Sequence, residues 1–255
     1  MDRVGKIFAY CERGLDASFW AEPFNALSNL AFILAALFAA RELMARPRAE
    51  PKLFRWALVF LVLVIGTGSF LFHTYATPWA ATADVAPIGV FMLAYLAYAL
   101  YRFAGVPGWL IVPALGGFAW FVQQAMQLQC WRGQIGIPLL APIFENTNCL
   151  NGSVGYLPAL GLMLLIGFWL STRRHEAAPY ILGASLVFML SVTFRTMDRL
   201  WCRDVAIGSY QIGTHFLWHL LNGATLYLLL LAAIRHGSNE PVLRASMWKS
   251  RPSER

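Results

Sequence analysis

Charge is what this sequence lacks most. Asp, Glu, Lys and Arg make up 13% of its 255 residues, against about 25% in an ordinary soluble domain. It has only 13 acidic side chains, 5 histidines and 4 cysteines. This composition excludes a disordered chain, a coiled coil and a miniprotein built on disulfides. No early cationic stretch leads into a short apolar core and a small-residue cleavage site, so no signal peptide is expected. No internal repeat or interdomain linker is visible. What the chain has in abundance is apolar surface: 58% hydrophobic residues, 10 Trp, 18 Phe and a mean hydropathy of +0.55.

A membrane span needs about 20 apolar residues, so seven take roughly 140 positions and leave room for short loops only. Charge-free runs, trimmed at Pro and Gly, predict helices near 23–43, 54–75, 84–103, 109–128, 153–171, 178–196 and 212–234. The run from Gly133 to Asn151 contains Pro138 and Pro142 and reads as a loop or re-entrant piece. The expected fold is an all-α membrane protein, a seven-transmembrane helix bundle over 23–234. A short segment, 1–22, precedes the bundle, and a basic tail, 235–255, follows it.

The net charge of +7 follows from topology and gives no reason to expect nucleic acid. Thirteen of the 20 Lys and Arg fall in the loops after spans one, three and five and in the C-terminal tail. The positive-inside rule then predicts an external N-terminus and a cytoplasmic C-terminus. All four cysteines fall on the predicted external side, where disulfides persist. Of the three pairings four cysteines allow, Cys130–Cys149 would staple one long loop. Cys11–Cys202 would tie the N-terminal segment to the loop between spans six and seven. Four inert thiols is the bland alternative.

Ionisable side chains at membrane depth are costly and need a reason. Ser69 and His73 are four residues apart and share a face of the second helix, and Asp84 opens the third. His215 and His219 share a face of the seventh, with Asn222 continuing it. With alternating span direction, Ser69, His73, Asp84, His215 and His219 fall at one depth near one face. Three imidazoles from two helices match a common zinc arrangement. There Asp84 could take a proton from water, and Ser69 could hydrogen-bond a polarised carbonyl or oxyanion. The competing readings are a cation relay, interhelical packing glue and a seven-helix receptor or scaffold with a structural zinc and no turnover. Haem fits poorly, because three histidines and an Asp exceed two axial ligands.

A second polar stripe, Glu22, Asn25, Ser28 and Asn29, runs along the first helix, with Glu12 and Asp16 just upstream. Carboxylates gathered at one helix entrance could hold a hard cation such as calcium through oxygen. The alternative is a capped helix start beside a solvated acidic loop. Gln123, Gln124 and Gln127 read as interhelical hydrogen bonding, and Arg195–Asp198–Arg199 as loop ion pairing.

Three windows together resemble the alkaline ceramidase family, within the wider group of seven-helix metal hydrolases that includes the adiponectin and progestin receptors. They are Glu22-Pro-Phe-Asn-Ala-Leu-Ser-Asn29, Ser69-Phe-Leu-Phe-His73 with Asp84 following, and His215-Phe-Leu-Trp-His219. The resemblance implies zinc held by His73, His215 and His219. It also implies hydrolysis of the N-acyl bond of a ceramide-like membrane lipid, assisted by Asp84 and Ser69. It further implies a structural calcium, with Glu12 and Glu22 matching the family's acidic ligands. Where eukaryotic members carry Asp before the cysteine and Asn after it, this chain has Ala9 and Gly14, and Asp16 stands nearby as a substitute. The family's disulfide before the last helix favours Cys11–Cys202. Short tails and loops resemble those of a bacterial member, which would place the chain in the cell membrane.

Overall fold

Long runs of Leu, Ala, Val and Phe without charge can satisfy their backbone polar groups in lipid only by forming helices. The computed structural model, which describes residues 5–47, 52–128 and 149–238, has seven helices long and apolar enough to cross a membrane. The first span is broken at Asn29 into α1 (Pro23–Ser28) and α2 (Leu30–Met44). Next come α3 (Leu53–Tyr75), α4 (Pro78–Tyr98) with a π-helical extension Ala99–Ala104, and α5 (Gly108–Met126). A 3₁₀ stretch, Cys149–Tyr156, leads into α6 (Leu157–Thr172), followed by α7 (Ala178–Met197) and α8 (His215–His236). A two-residue antiparallel pair, β1 (Ala206–Ile207) with β2 (Tyr210–Gln211), lies between α7 and α8. Most of the loop expected over Gly133–Asn151, the Cys130 end of the Cys130–Cys149 pairing and the tail from 239 onward lie outside the described residues.

One boundary corrects the sequence reading. The third span begins at Pro78, not at Asp84, because Pro78 sits in the first helical turn, where its missing N–H costs nothing and its fixed φ suits a helix. Asp84 is therefore about 9 Å inside the helix, at 1.5 Å rise per residue.

Lipid offers no hydrophobic drive between helices, so close packing and polar contacts hold them together. Two glycines show this at the positions that matter for the site. A Cβ on Gly68 would overlap the Ala83 carbonyl, so α3 and α4 touch backbone to backbone beside Ser69 and Asp84. A Cβ on Gly223 would press on Ala31, so α8 seats closely against α2. The core runs between α2, α3, α4, α7 and α8 through Phe32, Leu58, Val62, Ile65, Phe91, Leu229 and Leu230. α8 is the most buried of the spans, while α5 has no buried residue. Gln123, Gln124 and Gln127 are accordingly exposed on or just after α5, and among the described residues they do not form the expected interhelical bonds.

Candidate metal centre

The N-terminal segment folds over one end of the bundle. Cys11 is disulfide-bonded to Cys202 in the loop before α8, the pairing the resemblance favoured. Cys11 N also donates to Asp198 Oδ2 at 2.9 Å. Asp198 Oδ1 accepts from Thr214 N at 2.8 Å and His215 N at 2.9 Å. The buried Asp198 thus caps α8 at the residue that carries the first histidine. This corrects the ion-pair reading of Arg195–Asp198–Arg199: the partners of Asp198 are backbone N–H groups. Burial pushes its carboxyl above the ordinary range, against these three bonds.

At this end α3 supplies His73 from its last turn, and α8 supplies His215 and His219 from its first two turns. All three are at most 1% exposed. One ligand nitrogen from each lies within 4.8 Å of the others, and their ring centroids are 4.7–5.2 Å apart. His73 Nδ1 is hydrogen-bonded to Glu22 Oε2 at 2.5 Å. An ionised carboxylate can only accept, so the proton sits on Nδ1 and the Nε2 lone pair is free. His73 Nε2 has no hydrogen-bond partner among the described residues, and neither does His215 Nδ1. His219 Nδ1 lies 2.8 Å from Ser28 Oγ. That hydroxyl gives its one proton to the Asn25 carbonyl at 2.9 Å, so it accepts from His219 Nδ1–H and leaves Nε2 as a donor of electrons. Three buried imidazoles with lone pairs converging, two of them oriented by acceptors behind them, is how a protein prepares a metal site.

Ser69 Oγ lies 3.5 Å from His219 Nε2. Buried Asp84 interacts with both Ser69 and His73. The structure therefore brings together all five residues expected at the centre: Ser69, His73, Asp84, His215 and His219.

The expected calcium ligands are placed differently. Glu22 faces His73 with one oxygen and Arg13 Nε with the other, at 2.5 Å, and accepts from Asn25 Nδ2. Burial would raise its carboxyl, but His73 and Arg13 hold it below the ordinary range. Glu12 accepts from Phe24 N at 2.7 Å, Asn25 N at 2.8 Å and the Tyr210 hydroxyl at 3.1 Å, which caps α1. Burial raises its carboxyl against those bonds. Asp16 accepts from Ser18 N and Oγ. These contacts are donors and a cation, where calcium wants six to eight oxygens. Among the described residues the histidines form a metal-competent group of His, Cys, Asp or Glu side chains; Glu12, Glu22 and Asp16 do not.

The sequence reading missed three contributors. Arg13 is buried and donates to Glu22, to the His73 carbonyl and to the Asp16 and Ser18 carbonyls. Tyr10 stacks on His215 at 3.6 Å. Ser28 was marked as one of a polar stripe, and that stripe was the available signal for its contact with His219.

No curated protein compared with the chain matches it. Over residues 7–252 the sequence matches the family model described as Ceramidase, nearly its whole length. With that match added to seven apolar helices and a buried histidine triad, the chain belongs to the ceramidase family, hydrolases that cleave the amide bond of ceramide.

Proposed function

We propose that this protein is a zinc-dependent intramembrane amidase, releasing a sphingoid base and a fatty acid from ceramide-like lipids. His73, His215 and His219 hold the metal in this reading. The carrying observation is the set of three buried imidazoles whose donor atoms lie within 4.8 Å of one another. Nitrogen donors in that number, with a place left for substrate or water, suit catalytic zinc. A bound zinc ion supplies Lewis acidity toward an amide carbonyl and toward water.

The chain's own residues do the rest. Asp84 accepts the proton of the attacking water and returns it to the leaving amine. Ser69 donates its hydroxyl proton to the carbonyl oxygen as negative charge develops there. An apolar cavity lined by Phe91, Tyr95, Tyr156, Ala159, Phe188 and Leu229 reaches Asn222 and Thr225, on α8 just beyond His219. It takes a hydrocarbon chain without exposing it to water. The charge asymmetry of the loops supports an external histidine end and a cytoplasmic C-terminus.

The test is metal analysis of the purified protein together with fatty-acid release from N-acyl sphingolipids. His219→Ala loses both bound zinc and turnover, and Asp84→Asn keeps zinc but loses turnover. Full amidase activity in metal-free His219→Ala protein would overturn the reading.

A further inference from the structure

Arg195, near the end of α7, is a cation placed beside the histidines with no carboxylate in ion-pair distance among the described residues. Its Nη1 donates to the Asn151 carbonyl at 3.0 Å and to Ser153 Oγ at 2.9 Å. Tyr10 also interacts with it. The guanidinium lies over the rings of Tyr156, at 5.2 Å, and Trp218, at 5.7 Å. None of these partners is an anion. Among the described residues no carboxylate comes within ion-pair distance of it, whereas Arg13 is paired with Glu22 and Arg235 with Glu42. A guanidinium inside a spanning segment is costly, and a partly buried charge left unpaired is costlier than a paired one.

Its surroundings say where a counter-ion would arrive. Tyr10, which interacts with Arg195, stacks on His215 at 3.6 Å and lies 5.2 Å from His73. Trp218 directly precedes His219. Tyr156, under the guanidinium, lines the apolar cavity. Arg195 also interacts electrostatically with Asp84, His215 and His219. The cation thus stands between Tyr156 of the cavity wall and Tyr10 beside the proposed metal ligands. In an N-acyl sphingoid lipid the head group is carried on the carbon next to the one bearing the amide nitrogen. With the amide at the histidines and the hydrocarbon in the cavity, that head group lies beside the amide, within the region Arg195 commands.

We propose that Arg195 is a specificity-determining residue of the amidase, receiving an oxyanion of the lipid beside the three histidines. The source to which the geometry points is a phosphate head group on the sphingoid base. The carboxylate of the released fatty acid shares that chemistry, and the experiment separates the two. The inference rests on the amidase reading above. Arg suits the task because its planar fork pairs two oxygens at once, where Lys offers a point charge.

The experiment uses the full chain in detergent, with metal content and thermal stability measured for each variant. Initial rates are compared for two substrates with the same acyl chain, one with a neutral alcohol head and one with a phosphate monoester head. Hydrogen bonds to charged groups are worth enough for the wild type to favour the phosphate head by about tenfold or more in kcat/KM. The preference resides in KM. Arg195→Gln brings the ratio close to one, and Arg195→Lys leaves an intermediate value. Should Arg195→Gln fail to fold, a wild-type ratio in Arg195→Lys overturns the proposal, because loss of the fork must weaken an oxyanion clamp. If Arg195→Gln weakens inhibition by free fatty acid and leaves the head-group ratio unchanged, the carboxylate is the oxyanion received. If neither quantity moves in a folded, metal-loaded variant, Arg195 only fastens the 149–156 stretch to α7 and the proposal fails. Binding of a phosphate-headed ether analogue without an amide separates the two readings. Arg195-dependent binding in a protein that hydrolyses no amide would sink the amidase and keep the clamp. Ceramide turnover with Arg195-independent binding would do the reverse.

Discussion

Glu22 Oε2 lies 2.5 Å from His73 Nδ1, while its other oxygen holds Arg13 Nε. A carboxylate behind a histidine fixes its tautomer and raises its basicity as a ligand, and losing such a partner typically lowers metal affinity by about 10–100-fold. Glu22→Gln is expected to fall in that range, because the amide takes the place of the charge on both sides. Ser28→Ala, which removes the acceptor behind His219, should act in the same direction. Competition for zinc with a chromophoric chelator reads both; unchanged affinity in Glu22→Gln would make the contact purely structural.

Asp198 and the Cys11–Cys202 bridge hold the same segment by different means. Asp198 accepts three backbone N–H groups, one of them from Cys11. Each buried donor left unsatisfied costs about 1–3 kcal/mol, so Asp198→Ala should lower the melting temperature markedly. Cys202→Ser should cost the roughly 2–4 kcal/mol of stability typical of a disulfide. Since both changes release Cys11, the double variant should lose less than the sum of the two, by more than about 0.5 kcal/mol. Strict additivity in thermal unfolding would show that the two anchors act separately.

The spans and the triad were legible because both are local patterns. Charge-free runs mark helices, and Ser69–His73 or His215–His219 four apart must share a face whatever the rest of the chain does. What packs behind those faces was not legible. Ser28, Glu22 and Arg13 reach the histidines only because the first span breaks at Asn29 and the N-terminal segment folds back over the bundle. No spacing within one helix encodes that contact. Asp198 was misread for the same reason: among arginines it looks like an ion pair, and only the path of the chain brings Cys11 and the start of α8 to it. The start of the third span was misplaced because an interior Asp looks like a boundary until a partner such as Ser69 is found for it.

His175, in the turn between α6 and α7, supplies a pH test away from the histidine triad. Its Nδ1 accepts from Ala177 N at 3.1 Å, and its buried Nε2 has no partner among the described residues. Burial and the neighbouring His236 hold it below the ordinary histidine range, against Glu176. The native state therefore keeps it neutral while the unfolded chain protonates near pH 6.5. As pH falls through that value the unfolded state binds more protons, so stability drops until the folded group titrates too. His175→Asn, whose side-chain oxygen can replace Nδ1 as acceptor, should shallow the fall in melting temperature between about pH 7 and 5.5. An unchanged slope would assign the acid sensitivity to other groups.

The direction in which the hydrocarbon lies can be tested by filling the cavity at two depths. α4, α6 and α8 are lined up so that Ala159, two residues into α6, is near the histidine end, while Ala99, just past α4, is near the far end; both line the cavity. A phenyl ring at Ala159 fills the histidine end of the cavity, so Ala159→Phe should slow hydrolysis of every N-acyl chain length. A ring at Ala99 shortens the far end, so Ala99→Phe should spare short chains and penalise long ones by about tenfold or more. Tenfold corresponds to about 1.4 kcal/mol, within the roughly 1–3 kcal/mol that overpacking costs. Rates across a series of N-acyl lengths on one sphingoid base read both effects. If Ala99→Phe gives a flat profile across that series but responds to the length of the base, the cavity holds the sphingoid chain and the acyl chain lies toward the bilayer. If neither series responds, the cavity is not where the lipid sits.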